Sequence, residues 1–309
     1  MKEVLVTGAG GFLGRYVANA LARSGYHVSG VGRSPDAPSY LDASVVWIQG
    51  DASDPEFMKD VAAGKSVVAH LAGHGAPALS NQMPFESFVN GPLMSLAVLE
   101  GCRVNNVERL IFASSGGTIY GPTNVVPTPE DHPSSGVGIY SVGKQVSEIY
   151  LKEFERLYGV KGFSLRIANP FGSGQIAAGG QGLIAYALDS VKNSAPFTVY
   201  GDGENIRDLV YVEDVADAFV AAANYTGDER IFNIGSGSGV SIKATLDVLD
   251  EHLKPYRIER TFAEARGVDI PKSILDVTKA HDELKWHPKT TFSEGIKRTV
   301  ASFLSSINK

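Results

Sequence analysis

The chain has a single cysteine, Cys102. That excludes an intramolecular disulfide framework and a cysteine-based zinc site, and it fits a reducing compartment. Dense runs of Lys and Arg are also missing. With 28 basic against 34 acidic residues the formal net charge is −6, so no electrostatic footprint for a phosphate backbone exists and no nucleic-acid partner is expected. No stretch approaches the ~18 consecutive apolar residues of a membrane-spanning helix. The opening Met1-Lys2-Glu3 runs straight into an apolar strand, without the apolar core and small-residue cleavage site of a secretory signal. The expectation is a cytoplasmic protein with no membrane partner. Internal repeats and low-complexity tracts are absent too, which removes solenoid and disordered readings.

What is present is a long α/β rhythm. Short β-rich runs, Val4 to Thr7, His27 to Val31, Val45 to Gln49, Ser66 to Leu71, Arg109 to Ser114 and Lys161 to Ile167, alternate with helical stretches. Those stretches run from Phe12 to Ser24, from about Phe85 to Asn105 and from about Tyr140 to Tyr158. Alternation of this kind predicts βαβ units and a doubly wound parallel (Rossmann) sheet. After Asn169-Pro170 the pattern loosens into glycine-rich turns, then resumes with strand plus helix over Asp208 to Tyr225 and a strand over Arg230 to Ile234. The expected organisation is a dinucleotide-binding domain over 1–168 with a returning segment at 205–236. A smaller, interleaved C-terminal substrate-binding lobe takes 169–204 and 237–309.

Thr7-Gly8-Ala9-Gly10-Gly11-Phe12-Leu13-Gly14 lies at the first strand-to-helix junction, with Gly8, Gly11 and Gly14 spaced by three. Glycines there permit the tight turn and bring helix-start amides close to a pyrophosphate, where the helix dipole favours negative charge. At the end of the second strand, where a carboxylate would hold the adenosine ribose, stand Gly32-Arg33. Arg33 could pair with a 2′-phosphate, stack on adenine, or be an ordinary loop arginine, so NAD is the expected cofactor with NADP open. Asp51 in Gly50-Asp51-Ala52 could accept the adenine amino group. The small residues of Leu71-Ala72-Gly73 would let a cofactor lie against the backbone.

Tyr140 is the one tyrosine of twelve followed four residues later by lysine, Lys144, which on a helix puts both on one face. An ammonium beside the phenol is expected to lower its pKa from ~10 toward the working pH and make it a usable acid/base. Ser114-Ser115-Gly116-Gly117-Thr118-Ile119-Tyr120-Gly121 follows the fifth strand, so its hydroxyls and the phenol can converge at the carboxyl edge of the sheet, where ligands bind. His70 and His74 share a helical spacing, but the segment reads as a strand end with no completing carboxylate, so no metal site is expected. Cys102 and the terminal helix with Ile296, Val300, Phe303 and Leu304 read as core.

These motifs in this order resemble the extended short-chain dehydrogenase/reductases, within them the NAD-dependent epimerase/dehydratase group acting on nucleotide sugars, and most nearly UDP-galactose 4-epimerase-like enzymes. The resemblance spans nearly the whole chain. It rests on Thr7 to Gly14, His70 to Gly73, Asn90, Ser114 to Gly121, Tyr140 to Lys144, Arg166 to Gly172, Tyr200 to Gly203, Arg207 to Asp214 and Arg266 to Asp269. It implies that Tyr140 is the acid/base on the sugar hydroxyl and that Lys144 also holds the nicotinamide ribose. By the same resemblance Phe12, Leu13, Asp51 and Ala72 line the cofactor site, and Asn90, Thr118 and Asn169 meet the substrate. Arg207 and Arg266 neutralise the nucleotide diphosphate, and two helices per subunit make a homodimer.

One departure stands out: four residues before Tyr120, where the family usually has Ser or Thr, is Gly116. Thr118, in first preference, or Ser115 must then share the proton relay, or Tyr140 acts directly. Dehydratases of the group carry Asp-Glu where Gly117-Thr118 stand, which argues against dehydration. The expected function is a UDP-hexose type of nucleotide-sugar 4-epimerase, oxidising C4 transiently and returning the hydride. The alternatives are an NADP-dependent reductase of a 4-keto nucleotide sugar, motivated by Gly32-Arg33, and a catalytically silent nucleotide-sensing protein, motivated by Gly116.

Overall fold

The computed structural model describes residues 2–73, 77–177, 182–265 and 270–307. Six strands, β1 (Glu3–Thr7), β2 (His27–Gly32), β3 (Val46–Gln49), β4 (Val67–His70), β5 (Arg109–Ser115) and β6 (Lys161–Ile167), join the later strand Ile231–Ile234 in one seven-stranded sheet. From one edge its order is Ile231–Ile234, β6, β5, β4, β1, β2, β3, and every pairing is parallel. The chain winds outward from β1 to β3 and then crosses back to place β4 on the other side of β1. The reversal leaves a crevice between the carboxyl ends of β1 and β4, the place where doubly wound folds bind ligands.

Helices cover both faces, so the central strands are buried on both sides and read as near-continuous runs: all four residues of β4 and all seven of β5 are buried. One face is closed by α1 (Phe12–Arg23) and the helix Val212–Asn224. Small residues are frequent on both, Gly14 and Ala18 on one and Ala216, Ala218 and Ala222 on the other, and the two helices pack together. The buried Arg109 of β5 donates to the carbonyls of Ala222, Ala223 and Tyr225, and so caps the carboxyl end of that second helix. The opposite face is closed by the helices Pro55–Val61, Met94–Val104 and Ile139–Tyr158. Cys102 lies fully buried there, and burial pushes its thiol pKa up.

The long helix expected over 85–105 is broken in its middle. Helical turns at Pro84–Phe88 and Met94–Val104 flank a π-helical turn at Val89–Leu93. Pro92 lies inside it; a proline lacks the amide hydrogen and its ring crowds the carbonyl four residues back, so the wider turn accommodates it.

A third core, separate from the sheet, gathers Phe171, Ile184, Leu188, Val199, Leu246, Leu249, Ile296 and Val300, with Phe303 and Leu304 packed on its edge. Two boundaries differ from the sequence expectation. Leu209 and Tyr211, in the segment expected to return to the sheet, are part of this third core. Conversely Ala280, Leu284 and Trp286, expected in the smaller lobe, bury in the sheet's own core. The cause is polar as well as apolar: Trp286 Nε1 donates to the Asp214 carbonyl, and the buried Asp214 carboxylate accepts from the amides of Lys289 and Thr290. Asp208 joins the two cores, accepting from Ser236 Oγ and from the amides of Ser236, Gly237 and Leu275. Among the described residues no helix is long and apolar enough to cross a membrane.

Candidate active site

The turn after β1 is built on forbidden space. Gly8 has φ +70°, and a Cβ on it would lie 2.7 Å from the amide nitrogen of Ala72 at the end of β4. A Cβ on Gly14 would lie 1.9 Å from the Gly8 carbonyl oxygen. The Gly11 amide donates to that same oxygen at 2.9 Å, which closes the turn. Gly11 is the N-cap of α1 and supplies no side-chain cap, so the first amides of the helix point outward without a local acceptor.

Gly8, Gly10 and Gly11 of this turn line a cavity of about 640 Å³. Gly8, Gly11, Arg33, Asp51, Ala52, Leu71, Ala72 and Gly73, all expected near a cofactor, line it. The side chains of Phe12 and Leu13 do not: Phe12 sits edge-on to Tyr16, and Leu13 packs into the sheet core. Helical geometry turns both away, leaving only their backbone near the turn. Asp51 is held below its usual carboxylate range, first by the Ser53 amide and then by the Ser53 hydroxyl. Asn90, expected to meet the substrate, also lines this cavity. It lies on the π-helical turn with its carbonyl close to Gly73, and its side-chain nitrogen donates to the Glu86 carbonyl.

Tyr140 and Lys144 lie in the first turns of the helix Ile139–Tyr158. That helix packs on the π-helical turn, where a Cβ at Gly143 would be 3.4 Å from Pro92. Lys144 Nζ donates to the Ala113 carbonyl of β5 at 2.7 Å and stands 4.6 Å from the Phe112 ring centre and 5.6 Å from that of Tyr140. The hydroxyl that faces the phenol is Ser115. Thr118, the residue preferred from sequence, donates to Ser115 Oγ at 3.0 Å and so stands one step further back. The reason lies at Gly116, where a Cβ would fall 2.4 Å from Leu275 Cδ1 and 2.8 Å from the Arg166 carbonyl oxygen. No side chain fits at that position, and the extended Ser115 at the end of β5 carries the hydroxyl beside the phenol.

The electrostatic expectation for the phenol is reversed. Burial pushes Tyr140 up to about 12, with the Ser115 hydroxyl pulling the other way. Burial pushes Lys144 down to about 8, opposed by the Glu148 carboxylate. Desolvation thus outweighs the mutual help of the pair. The arrangement keeps a proton on a phenol beside a cation that titrates near neutrality.

Asn169 and Arg207 complete the described set. The Asn169 side chain donates to the Asp208 carbonyl at 3.0 Å and faces Gly117 across the turn that carries Thr118. Arg207 is half-buried in the smaller lobe, its Nη1 donating to the carbonyls of Ile206 and Ile270. Arg266 and His74 lie outside the described residues. His70 is buried within the core, with Nδ1 2.8 Å from Thr7 Oγ1 and Nε2 3.1 Å from Ser95 Oγ. Burial, then the Lys144 charge, lowers its pKa to about 3, so it stays neutral.

Over residues 4–235 the chain matches the NAD dependent epimerase/dehydratase family. The chain belongs to this family. It is 31% identical over 309 residues to the UDP-glucose 4-epimerase of Mycolicibacterium smegmatis, covering 97% of this chain and 98% of that one. The solved structure of the Thermotoga maritima UDP-glucose 4-epimerase with UDP-glucose has a TM-score of 0.92 at 34% identity, covering 99% of each chain. That of the Thermus thermophilus UDP-glucose 4-epimerase complex with NAD has a TM-score of 0.90 at 31% identity, covering 98% of this chain and 99% of that one. This member of the epimerase/dehydratase family is an enzyme of the extended short-chain dehydrogenase/reductase type, and NAD is its cofactor.

Two parts of the site in this family member escaped the sequence. One is a polar chain inside the helix packing, Thr7 to His70 to Ser95 to Ser147, which links β1, β4 and the helix bearing Lys144. The other is the buried pair of Glu148 and Arg166 at 2.8 Å, extended by Ser114 onto Glu148 and by Arg166 onto Tyr120. The only hint was that Ser141 and Ser147 occupy the face of the long helix that should be apolar.

Gly14→Ala should abolish retention of dinucleotide, because the Gly8 carbonyl would have to leave the turn. Gly91→Ala, with nothing within 4 Å of its Cβ, should leave it intact. Mass spectrometry of the nucleotide released on denaturation reads both.

Proposed function

We propose that this chain is a UDP-sugar 4-epimerase that oxidises C4 of a nucleotide-bound hexose and reduces it again on the other face. The observation that carries the reading is the meeting of Tyr140, Ser115 and Lys144 at the carboxyl edge of the sheet beside the dinucleotide cavity. The residues fit NAD: the uncapped start of α1, the glycine turn that packs against the end of β4 at Ala72, and Asp51 in the cavity lining. When bound, NAD supplies a hydride acceptor that can give the hydride back, and the positive charge of an oxidised nicotinamide ring.

Tyr140 Oη takes the proton from the C4 hydroxyl and later returns it. Added positive charge beside the phenol opposes the effect of burial and favours the phenolate the first step needs. Ser115 holds the sugar oxygen against the phenol, with Thr118 orienting Ser115. Lys144, anchored on the Ala113 carbonyl, holds the nicotinamide ribose and keeps a cation next to Tyr140. Asn169 meets the substrate near the Thr118 turn. Arg207 takes the diphosphate, a role that suits a multidonor guanidinium, and Arg266 is its proposed partner. We place the sheet with the returning segment on one side of this division of labour and the third core on the other, so one lobe anchors the nucleotide while the sugar turns.

A stoichiometric NADP-dependent reductase is the second reading, favoured by Arg33 at the end of β2. The silent sensor loses its motive, since Ser115 supplies the hydroxyl that Gly116 lacks. UDP-glucose and UDP-galactose should interconvert without net production of reduced cofactor, and turnover that consumes NADPH stoichiometrically would replace the epimerase with the reductase. Tyr140→Phe should end turnover while retaining cofactor. Ser115→Ala should lower kcat by about 10²-fold, whereas Thr118→Val should cost less than about tenfold, since general acid–base contributions span this range.

Lys144 gives a pH prediction with a definite sign. Its ammonium is present below about 8 and lost above it, so kcat should fall as pH rises through that value. In Lys144→Arg, whose cation does not titrate there, this alkaline decline should disappear from a slower rate profile.

A homodimer is the proposed assembly. Ile149 is 62% exposed and Phe85 74% exposed, and with Val142 and Phe88 they leave an apolar face on the helices Ile139–Tyr158 and Pro84–Phe88, a face that a second copy would cover. Light scattering should give twice the subunit mass, and Phe85→Asp should halve it. A wild-type monomer would remove the proposal.

A further inference from the structure

The adenosine end of the cavity holds a feature that cofactor assignment by family does not address. In an NAD-selective fold of this kind a carboxylate after β2 binds the ribose diol, and its negative charge keeps out a 2′-phosphate. Here the last residue of β2 is Gly32, and a Cβ on it would lie 2.3 Å from Cη2 and 2.9 Å from Cζ2 of Trp47. Trp47 is held on several sides. Its register in β3 sets it opposite Gly30, its Nε1 donates to the Ser34 carbonyl at 3.1 Å, and its ring also lies 3.3 Å from a Cβ position on Gly10. The indole fills the space that a side chain at position 32 would need. Arg33 follows immediately, exposed and lining the cavity together with Ser34. Among the described residues no hydrogen bond or ion pair engages its guanidinium. Its charge is felt at Asp51, whose Oδ1 accepts from Ser53. Asp36 is the other carboxylate lining the cavity.

We propose that the Trp47 indole, by excluding a carboxylate at position 32, opens the ribose subsite to a 2′-phosphate bound by Arg33 and Ser34, so that the chain takes NADP as readily as NAD. A guanidinium and a hydroxyl are the donors a phosphate monoester needs. The inference rests on the reading of the cavity as the dinucleotide site and not on the epimerase chemistry.

The test equilibrates purified holoprotein with equimolar NAD and NADP, without sugar substrate, until exchange followed with isotopically labelled NAD is complete. The protein is then washed and denatured, and both released dinucleotides are quantified by mass spectrometry. The expected wild-type ratio lies within about threefold of unity, a difference under ~1 kcal/mol. Arg33→Ala should lower the NADP:NAD ratio by about tenfold, the scale of one lost charge-assisted hydrogen bond, with NAD occupancy kept. A wild-type preference for NAD above about thirtyfold, or a ratio unmoved by Arg33→Ala, overturns the proposal. Asp36→Asn should leave the ratio unchanged; a gain of NADP in that variant would make Asp36 the ribose reader and equally overturn it. Because the ratio is read without turnover, failure of the epimerase reading leaves this result standing. Protein that retains neither dinucleotide overturns the cavity assignment itself.

Discussion

Everything at the site depends on how closely three stretches of backbone approach one another at the reversal of the sheet. Gly8 lies against Ala72 at the end of β4, and Gly14 lies against Gly8, at separations that leave no room for a methyl group. This contact sets the entry angle of α1, brings its amides to the crevice, and lets the ends of β1 and β4 form the cavity wall. A side chain at either glycine would push the helix away from the sheet edge and take its first amides with it. The strained turn is tolerated because apolar cores on both faces of the sheet hold its two ends in place.

A second constraint aligns the helix Ile139–Tyr158 with that crevice. Its inward face is polar in its first half: Lys144 on the Ala113 carbonyl, Ser147 on Ser95, and Glu148 on Arg166 and Ser114. An apolar face could settle at several rotations or slide by a turn. A face of directional hydrogen bonds at buried sites accepts one rotation, since a buried polar group without its partner costs about 1–3 kcal/mol. Tyr140, one turn before Lys144 and beside Ser115, takes its direction from those anchors. Burial of this helix also shifts the pair, raising the phenol and lowering the amine, so below about pH 8 a protonated phenol stands beside an ammonium.

Two departures from the family pattern prove to be steric substitutions. At Gly116 the space belongs to Leu275 and the Arg166 carbonyl, and the hydroxyl nearest the phenol is that of Ser115. At Gly32 the space belongs to Trp47, and the next residue, Arg33, lines the cavity. In both cases a large side chain from elsewhere in the chain occupies the volume beside the glycine.

Local information carried much of this protein. The period of the apolar runs, the glycines after β1 and the spacing from Tyr140 to Lys144 are short-range patterns whose meaning depends on helix and strand geometry alone, and they were legible. So was the return of the chain to the sheet at Ile231–Ile234. Properties that require knowing what packs against a residue from a distance were not. Whether Ser115 or Thr118 faces the phenol depends on Leu275, and the side of the molecule that holds Trp286 depends on Asp214. The Tyr140 pKa follows burial that no spacing reveals, and the path of the helix around Pro92 follows its neighbours. The sequence by itself determined the sheet, its reversal point and the glycine turn after the first strand, because these follow from periodicity and backbone freedom. Only the tertiary structure decided which hydroxyl meets the phenol, how burial shifts Tyr140 and Lys144, and what fills the space beside Gly32, because each turns on contacts between residues far apart in the chain.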